Sequence, residues 1–410
     1  MALVSRRLLA LALAAVLYLS LLLVTARSAA QTNGITVDPL GLQIHGFASQ
    51  GFFVSTGNNY LTESTNGSFE LSEVGVNLTQ PLTHDLRLGM QLFAHNFGNL
   101  GNYDVKADWF YIDYRYTDWL GLRAGRVKLP FGLYNEVSDI DAARVPVLLP
   151  GSIYPVSNRD YLLAQTGAEL YGYIDLHGAG AFDYRLYGGM IFIDDIASSD
   201  ANFHLTDVSI PYVVGGRLMY ETPLDGLRVG ASVQALRLDI DAQIDPAFVV
   251  ALQMMDKLDP DSTGALHAEV PGLLWIGSIE YLGYDWQVAL EYSRWILDVE
   301  TNTPALFEPE NVSERMYALV AYRILSWLQP GVYYSLWFPN IKKSREGAAN
   351  RQHDLSLTLR FDINDHWLVK LEGHYIDGTS GLEPALNDGE TRDEMQRRWM
   401  LFFAKTTAYF

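Results

Sequence analysis

Sixteen segments of period-two character follow one another from residue 42 to the chain end, and the stretches joining them alternate between short and long. The segments fall at 42–55, 68–80, 84–96, 105–116, 119–128, 165–176, 180–193, 211–221, 226–240, 270–281, 284–299, 313–324, 327–337, 351–362, 366–377 and 396–410. Seven connections are tight, among them Thr117-Asp118, Leu282-Gly283 and Leu325-Ser326, and the other eight run from about eight to about thirty-six residues. An even number of strands with both ends on the short-turn side is the layout of a transmembrane barrel. Sandwiches and propellers have no reason to keep such an alternation.

Each segment supports the strand reading by itself. In Val369-Lys370-Leu371-Glu372-Gly373-His374-Tyr375 one parity carries Val, Leu, Gly and Tyr, and the other carries Lys, Glu and His. A water-soluble sandwich shows the same alternation, so the connections decide the class. No apolar run after residue 30 approaches the roughly twenty residues of a membrane helix, which leaves a closed barrel as the one membrane-spanning form open to this chain. The fold expected is therefore all-β, a 16-stranded antiparallel transmembrane β-barrel with short periplasmic turns and long extracellular loops.

The first thirty residues read as a cleaved signal peptide. Arg6-Arg7, a mostly apolar run from Leu8 to Val24 and Ser28-Ala29-Ala30 supply its three parts, and an uncleaved anchor is the alternative. Residues 31–41 then form a short periplasmic segment, and 42–410 the barrel. A content of 49% hydrophobic and 19% charged residues excludes a disordered chain, and the absence of cysteine excludes disulfides, thiolate metal sites and a cysteine nucleophile. With a net charge of −19, nucleic acid is not an expected partner.

Aromatic residues gather at the short turns. Trp109, Tyr111, Tyr114, Tyr116 and Trp119 surround one, and Tyr281, Tyr284 and Trp286 another, as expected of a membrane-interface girdle, although strand propensity alone also favours them. The chain closes on Phe410, in parity with Ala408, Thr406, Ala404, Phe402 and Met400. A terminal aromatic on a last strand resembles the assembly signal of Gram-negative outer-membrane barrels.

Ile44-His45-Gly46-Phe47, and above all Leu122-Arg123-Ala124-Gly125-Arg126-Val127-Lys128-Leu129-Pro130-Phe131-Gly132-Leu133-Tyr134-Asn135-Glu136 with Asp139 to Arg144, give the chain a family likeness. It resembles the general porins, in particular the phosphate-selective porin O and P type. The resemblance implies residence in the outer membrane of a Gram-negative bacterium, contact with outer-membrane lipid and lipopolysaccharide, insertion by the barrel assembly machinery, a homotrimer, and small hydrophilic solutes as cargo. The chain departs from the phosphate-selective type in charge, being acidic and poor in lysine, so phosphate specificity is not carried over.

A barrel of sixteen strands is too wide for its own side chains to fill. The longest connection, 129–164, is the candidate constriction loop. It holds four prolines, the apolar Val147, Leu148, Leu149 and Ile153, and the charged Glu136, Asp139, Asp141 and Arg144. A cap outside the lumen is the alternative. Parity assigns Arg87, His95, Asp113, Arg115, Arg123, Glu169, Asp183, Arg185, Arg217, Arg228, Glu291, Arg360, Lys370, Glu372 and Lys405 to the pore wall. Arg87, Arg115, Arg123, Arg185, Arg228 and Arg360 lie near short turns, which points to a basic ring at the periplasmic mouth, and acids on the loop would set a transverse field against it. For any single residue the alternative is a local salt bridge. Acids on the outer loops, Asp194, Asp195, Asp200, Glu308, Glu310, Asp388 and Glu390, leave ion selectivity open.

Asp245-Pro246 begins an amphipathic helix with Phe248, Val249, Leu252, Met255 and Leu258. Asp259 to Gly264 starts like a calcium loop, but Val270 stands where the bidentate Glu belongs. No metal or cofactor is expected. Hydrolase, zincin and nucleotide-binding motifs are missing, so we expect no enzyme and no catalytic residue. The expected function is a passive diffusion channel for small hydrophilic solutes or ions. The alternatives are a closed-lumen receptor, adhesin or structural barrel, and an outer-membrane hydrolase with a Ser/His pair on the wall.

Overall fold

The computed structural model describes residues 34–37, 39, 41–193, 202–343 and 345–410. The expected signal peptide and the acids Asp194, Asp195 and Asp200 lie outside the described residues. Sixteen strands form one closed antiparallel barrel: β1 Leu42–Ser55, β2 Ser68–Pro81, β3 Leu86–Phe97, β4 Lys106–Thr117, β5 Leu120–Lys128, β6 Ala164–Asp175, β7 Ala181–Ile191, β8 Phe203–Glu221, β9 Leu227–Ile244, β10 Ala265–Gly283, β11 Trp286–Asp298, β12 Glu310–Tyr322, β13 Leu328–Phe338, β14 Gln352–Asn364, β15 Trp367–Gly378 and β16 Arg398–Tyr409. Every strand pairs with its chain neighbours, and β16 closes on β1 from Tyr409↔Phe47 to Leu401↔Ser55. Ile35–Val37 and Glu300–Thr301 are short additions on β1 and β10.

Closure leaves no edge, so backbone N–H and C=O groups pair between neighbouring strands, as lipid requires. The side chains follow the pleat. On β16, Trp399, Leu401, Phe403, Lys405 and Thr407 point inward and are buried, while Met400, Phe402, Ala404 and Thr406 are exposed outward. On β14 the exposed residues are Leu355, Leu357 and Leu359, alternating with buried Ser356, Thr358 and Arg360. A leucine-covered outer face of this kind is stable only against acyl chains.

Exposed Tyr114, Tyr116, Trp119, Tyr173, Trp286, Tyr322, Trp327 and Trp367 form the girdle near the short turns. Trp109 and Tyr111 do not belong to it. They share the parity of Asp113 and face inward, where Trp109 donates to the Gln91 side-chain oxygen and Tyr111 lies 5.2 Å from the Arg123 guanidinium.

The largest departure from the expected boundaries is at β8 to β10, which extend well past their expected long-loop ends. β8 begins at Phe203, eight residues earlier than the alternation suggested. Phe203, Leu205, Val208 and Ile210 do alternate with polar residues, but register shifts interrupt the β8–β9 pairing there and break the parity. The protruding ends carry the helix Pro246–Met254, capped by the Asp245 carboxylate, which accepts from Ala247 N at 2.8 Å. Its Val249 and Leu252 pack with Leu258 on Ala242, Ile244, Leu266 and Ala268.

Candidate functional site

β6 begins at Ala164, so the long connection is 129–163, and it folds into the barrel rather than over it. Its base is tied by Leu129 N donating to Leu163 O at 2.8 Å and by the Asn135 amide, which donates to the carbonyls of Leu129 and Leu162. Gly132 takes φ +67, a left-handed turn open to glycine at little strain. Two apolar surfaces then set the loop's position. Leu129, Phe131, Leu133, Leu149, Ile153 and Tyr154 pack on Tyr187, Val213, Leu236, Leu274, Ile276 and Trp295 of β7–β11. On the far side Val147 and Leu148 pack with Phe53, Leu71, Phe97, Ile376, Trp399 and Phe403. One loop thus reaches opposite walls, which places it across the lumen.

Polar contacts fix the same crossing. Glu136 accepts from Arg185 on β7 at 3.1 Å and from Arg217 on β8 at 2.8 Å. Asp139 accepts from Lys128 at 2.6 Å and from Gln91 on β3 at 2.7 Å. Asp141 meets Lys370 of β15 at 3.0 Å, Lys405 of β16 at 3.3 Å and Thr407 Oγ1 at 2.7 Å, with Arg144 3.5 Å away. Wall acids answer by holding the loop backbone. Glu372 accepts from Val147 N at 2.7 Å and Leu148 N at 3.0 Å, and Glu291 from Leu133 N at 2.9 Å and from the Tyr154 hydroxyl. Arg360 donates to the carbonyl of Ala142 at 2.8 Å.

Burial alone would push the three loop carboxyls up. The Arg185 and Arg217 guanidinium groups outweigh it at Glu136 and hold that carboxyl below its ordinary 4.5. Lys128 and Arg159 do the same at Asp139, and Lys370, Lys405 and Arg144 at Asp141. All three are carboxylates at neutral pH.

The wall residues expected from parity lie on the inner face, but their arrangement differs from the expected free ring and transverse field. Arg87 pairs with Asp113 at 2.7 Å, Arg115 with Asp118 at 3.0 Å, Arg123 with Glu169 at 2.9 Å, and Arg228 with Glu280. Asp183 lies 3.4 Å from Arg217. The arginines near the short turns are neutralised by local ion pairs: carboxylates face Arg87, Arg123 and Arg228 from neighbouring strands, while Arg115 and Arg360 pair with Asp118 and Asp362 close by in the chain. Loop acids and wall bases likewise touch instead of facing one another across water. His95 sits inward between Phe93 and Phe97, with ring centroids at 5.4 and 5.1 Å.

Nor is the lumen charged throughout. Toward the long loops the inner face of β7–β11 is apolar, with Ile191, Ile210, Leu236, Leu274 and Trp295, and the loop fills it. Glu73, Asp108 and Glu280 were missed as inner-face carboxylates. Glu73 pairs with Lys405, and Asp108 with Arg159 at 2.7 Å. The parity of Glu73 with Gly75 and Asn77, and of Glu280 with Ser278, could have revealed two of them.

Cavities flank the loop on both sides. One, of about 380 Å³, opens at the short-turn side and is lined by Arg87, Asp113, Arg115, Arg123, Asp183 and Arg185. The other, of about 240 Å³, opens between the long loops. Between them the wall of β10–β16 is sealed under the loop, with Lys370 wholly buried and Glu291 and Glu372 nearly so. Along the short-turn half of β7 and β8 the contact is looser: Glu136 keeps 24% and Asp183 32% of its side-chain surface exposed.

No family model and no curated protein matches this sequence. Solved structures do. The outer-membrane OmpT of Vibrio cholerae superposes with a TM-score of 0.57 at 12% identity, over 92% of this chain and all of that one. An anion-selective porin from Comamonas acidovorans gives 0.54 at 11% identity over 90% and 99%, and Salmonella typhi OmpF, in complex with daunomycin, gives 0.52 at 15% identity over 92% and 100%. This likeness shows the fold: the chain is an outer-membrane-type β-barrel with porin-like architecture. It is a likeness to such barrels in general, with nothing that singles out the phosphate-selective type.

Proposed function

We propose that the barrel is a passive diffusion channel for small hydrophilic solutes in the outer membrane of a Gram-negative cell, with loop 129–163 as its constriction. The observation that carries this reading is the asymmetry of the loop's seat. It is sealed by apolar packing and buried ion pairs against β10–β16 and by apolar packing on the long-loop half of β7 and β8, whereas at the short-turn half of those two strands Glu136 and Asp183 stay partly exposed beside Arg185 and Arg217. Charged groups lining the narrowest passage favour hydrated solutes over apolar ones. A homotrimer, and recognition of Phe410 by the assembly machinery, belong to the same reading. Phe410 closes the barrel seam, its backbone exchanging bonds of 3.0 and 3.2 Å with Gly46.

A closed-lumen receptor or adhesin is the second reading, and the burial of Lys370 and Glu372 under the loop favours it. Swelling of liposomes carrying the refolded protein separates the two. A channel admits glycerol and small sugars at rates that fall with solute size, whereas a closed barrel leaves the liposomes at the protein-free rate for every solute.

A further inference from the structure

Among the described residues, buried lysines and arginines are paired, with one exception. Of the five, Arg144, Arg360, Lys370 and Lys405 each have a carboxylate within 4 Å. Arg315, on the inner face of β12 and 7% exposed, has none. Neutral groups hold it instead. Its Nε donates to Ser313 Oγ at 2.9 Å, one terminal nitrogen donates to the Ser152 carbonyl of the crossing loop at 3.1 Å, and its guanidinium lies 3.5 Å from the Trp295 ring centroid and 5.0 Å from that of Trp337. Trp337 is itself fixed by donating to the same Ser313 oxygen at 3.0 Å.

An ionised group taken out of water without a counter-charge is costly, and contact with indole faces offsets only part of that cost. A group in this state is a strong attractor for an anion that can reach it. Arg315 and Trp337 can be reached, because both line the 240 Å³ cavity on the long-loop side of the barrel. The same cavity is lined by a second guanidinium, Arg392, whose Nε donates to the Leu382 carbonyl at 2.9 Å and which has no ion-pair partner among the described residues. Glu383 is the one acid of the lining, so two guanidinium groups stand against one carboxylate. Beside Arg315, the buried Trp295 indole N–H has no hydrogen-bond partner among the described residues. Positive charge is in excess at this cavity, and the unpartnered Trp295 donor lies behind Arg315.

We propose that this cavity binds a compact oxyanion, the carboxylate of a small organic acid or inorganic phosphate, held by Arg315 and Arg392 at the long-loop entrance of the barrel. The planar fork of a guanidinium held by its Nε and one terminal nitrogen leaves its remaining donors for two oxygens of one ligand. As a solute site it rests on the channel reading; as a binding site it is measured without transport, so the two fail separately.

The full chain, refolded in detergent micelles, is titrated at neutral pH with acetate, with inorganic phosphate and with glycerol as the neutral control, by calorimetry. One site per chain is expected for an oxyanion and none for glycerol, and the anion that binds more tightly identifies the source. Arg315→Met is expected to weaken binding at least about tenfold, as befits the loss of a charge-assisted pair, with its heat-modifiable gel shift unchanged. Arg392→Gln, on the exposed side, is expected to weaken it less, and it decides the matter if Arg315→Met does not fold. Absence of binding by both anions, or binding unchanged in the variant that folds, would overturn the proposal.

Discussion

Asp141 and Lys370 stand 229 positions apart in the chain and meet at 3.0 Å, both with fully buried side chains, where the crossing loop is pinned to β15. Neither could be buried alone. The pair is also shared: Lys405 and Arg144 approach the same carboxylate, and Glu73 takes the remaining charge of Lys405. Three cations and two acids meet in this cluster, which ties the loop to the wall.

Removing its centre leaves buried cations without compensation. Asp141→Ala is expected to cost about 3–5 kcal/mol, the range for breaking a buried pair from one side. Urea unfolding of the variant in lipid or detergent checks the magnitude. Loss of under 1 kcal/mol would show that the cluster is not the anchor described.

The pH dependence follows from the same carboxylates. Glu136, Asp139 and Asp141 are all held below their ordinary values of 4.5 and 3.8, so each stabilises the docked loop fully above that range. That stabilisation declines progressively as pH falls below the ordinary 4.5 and 3.8 and is gone below the folded-state values. Protease cleavage within 129–163 should therefore be little faster at pH 4.5 than at pH 7 and should rise progressively in stronger acid. Release of the loop between pH 6 and pH 5 would contradict the assignment.

Of Glu136, Asp139 and Asp141, Glu136 has the most exposed side chain, facing Arg185 and Arg217. Glu136→Gln removes one negative charge from the passage and leaves both guanidinium groups. Permeability should shift toward anions by about fivefold, corresponding to the ~1 kcal/mol of a unit charge at ~4 Å in a water-like medium. Reversal potentials in a salt gradient report it, and a shift toward cations would place the conducting path elsewhere.

The outer face is tested at Leu357, 63% exposed near the middle of β14. Leu357→Arg should cost roughly 2–4 kcal/mol in a bilayer, as a charge at mid-depth does. In urea titrations of liposome-embedded protein, a neutral effect would mean that this face does not meet lipid.

Strand number, closure and the identity of the crossing loop were legible because a two-residue period and a short-long alternation are local signals. Inner-face residues such as Lys370 and Lys405 followed from parity alone. What stayed hidden needed two distant segments at once. That Arg87, Arg123 and Arg228 are neutralised depends on register across strands, which sets Arg87 opposite Asp113 and Arg228 opposite Glu280. The apolar half of the lumen was hidden for a related reason. Leu274 and Ile276 carry no polar mark of an inner face, and their burial depends on the loop that enters the barrel. The extra length of β8 was masked by register shifts that break its parity near Ile210.

Single-channel conductance of the refolded protein in planar bilayers tests the central claim most directly. A constricted diffusion channel gives stepwise openings, smaller than those of a barrel from which residues 133–155 have been deleted. A heat-modifiable, folded protein that never conducts, beside a deletion variant that does, would contradict the channel and establish the loop as a plug.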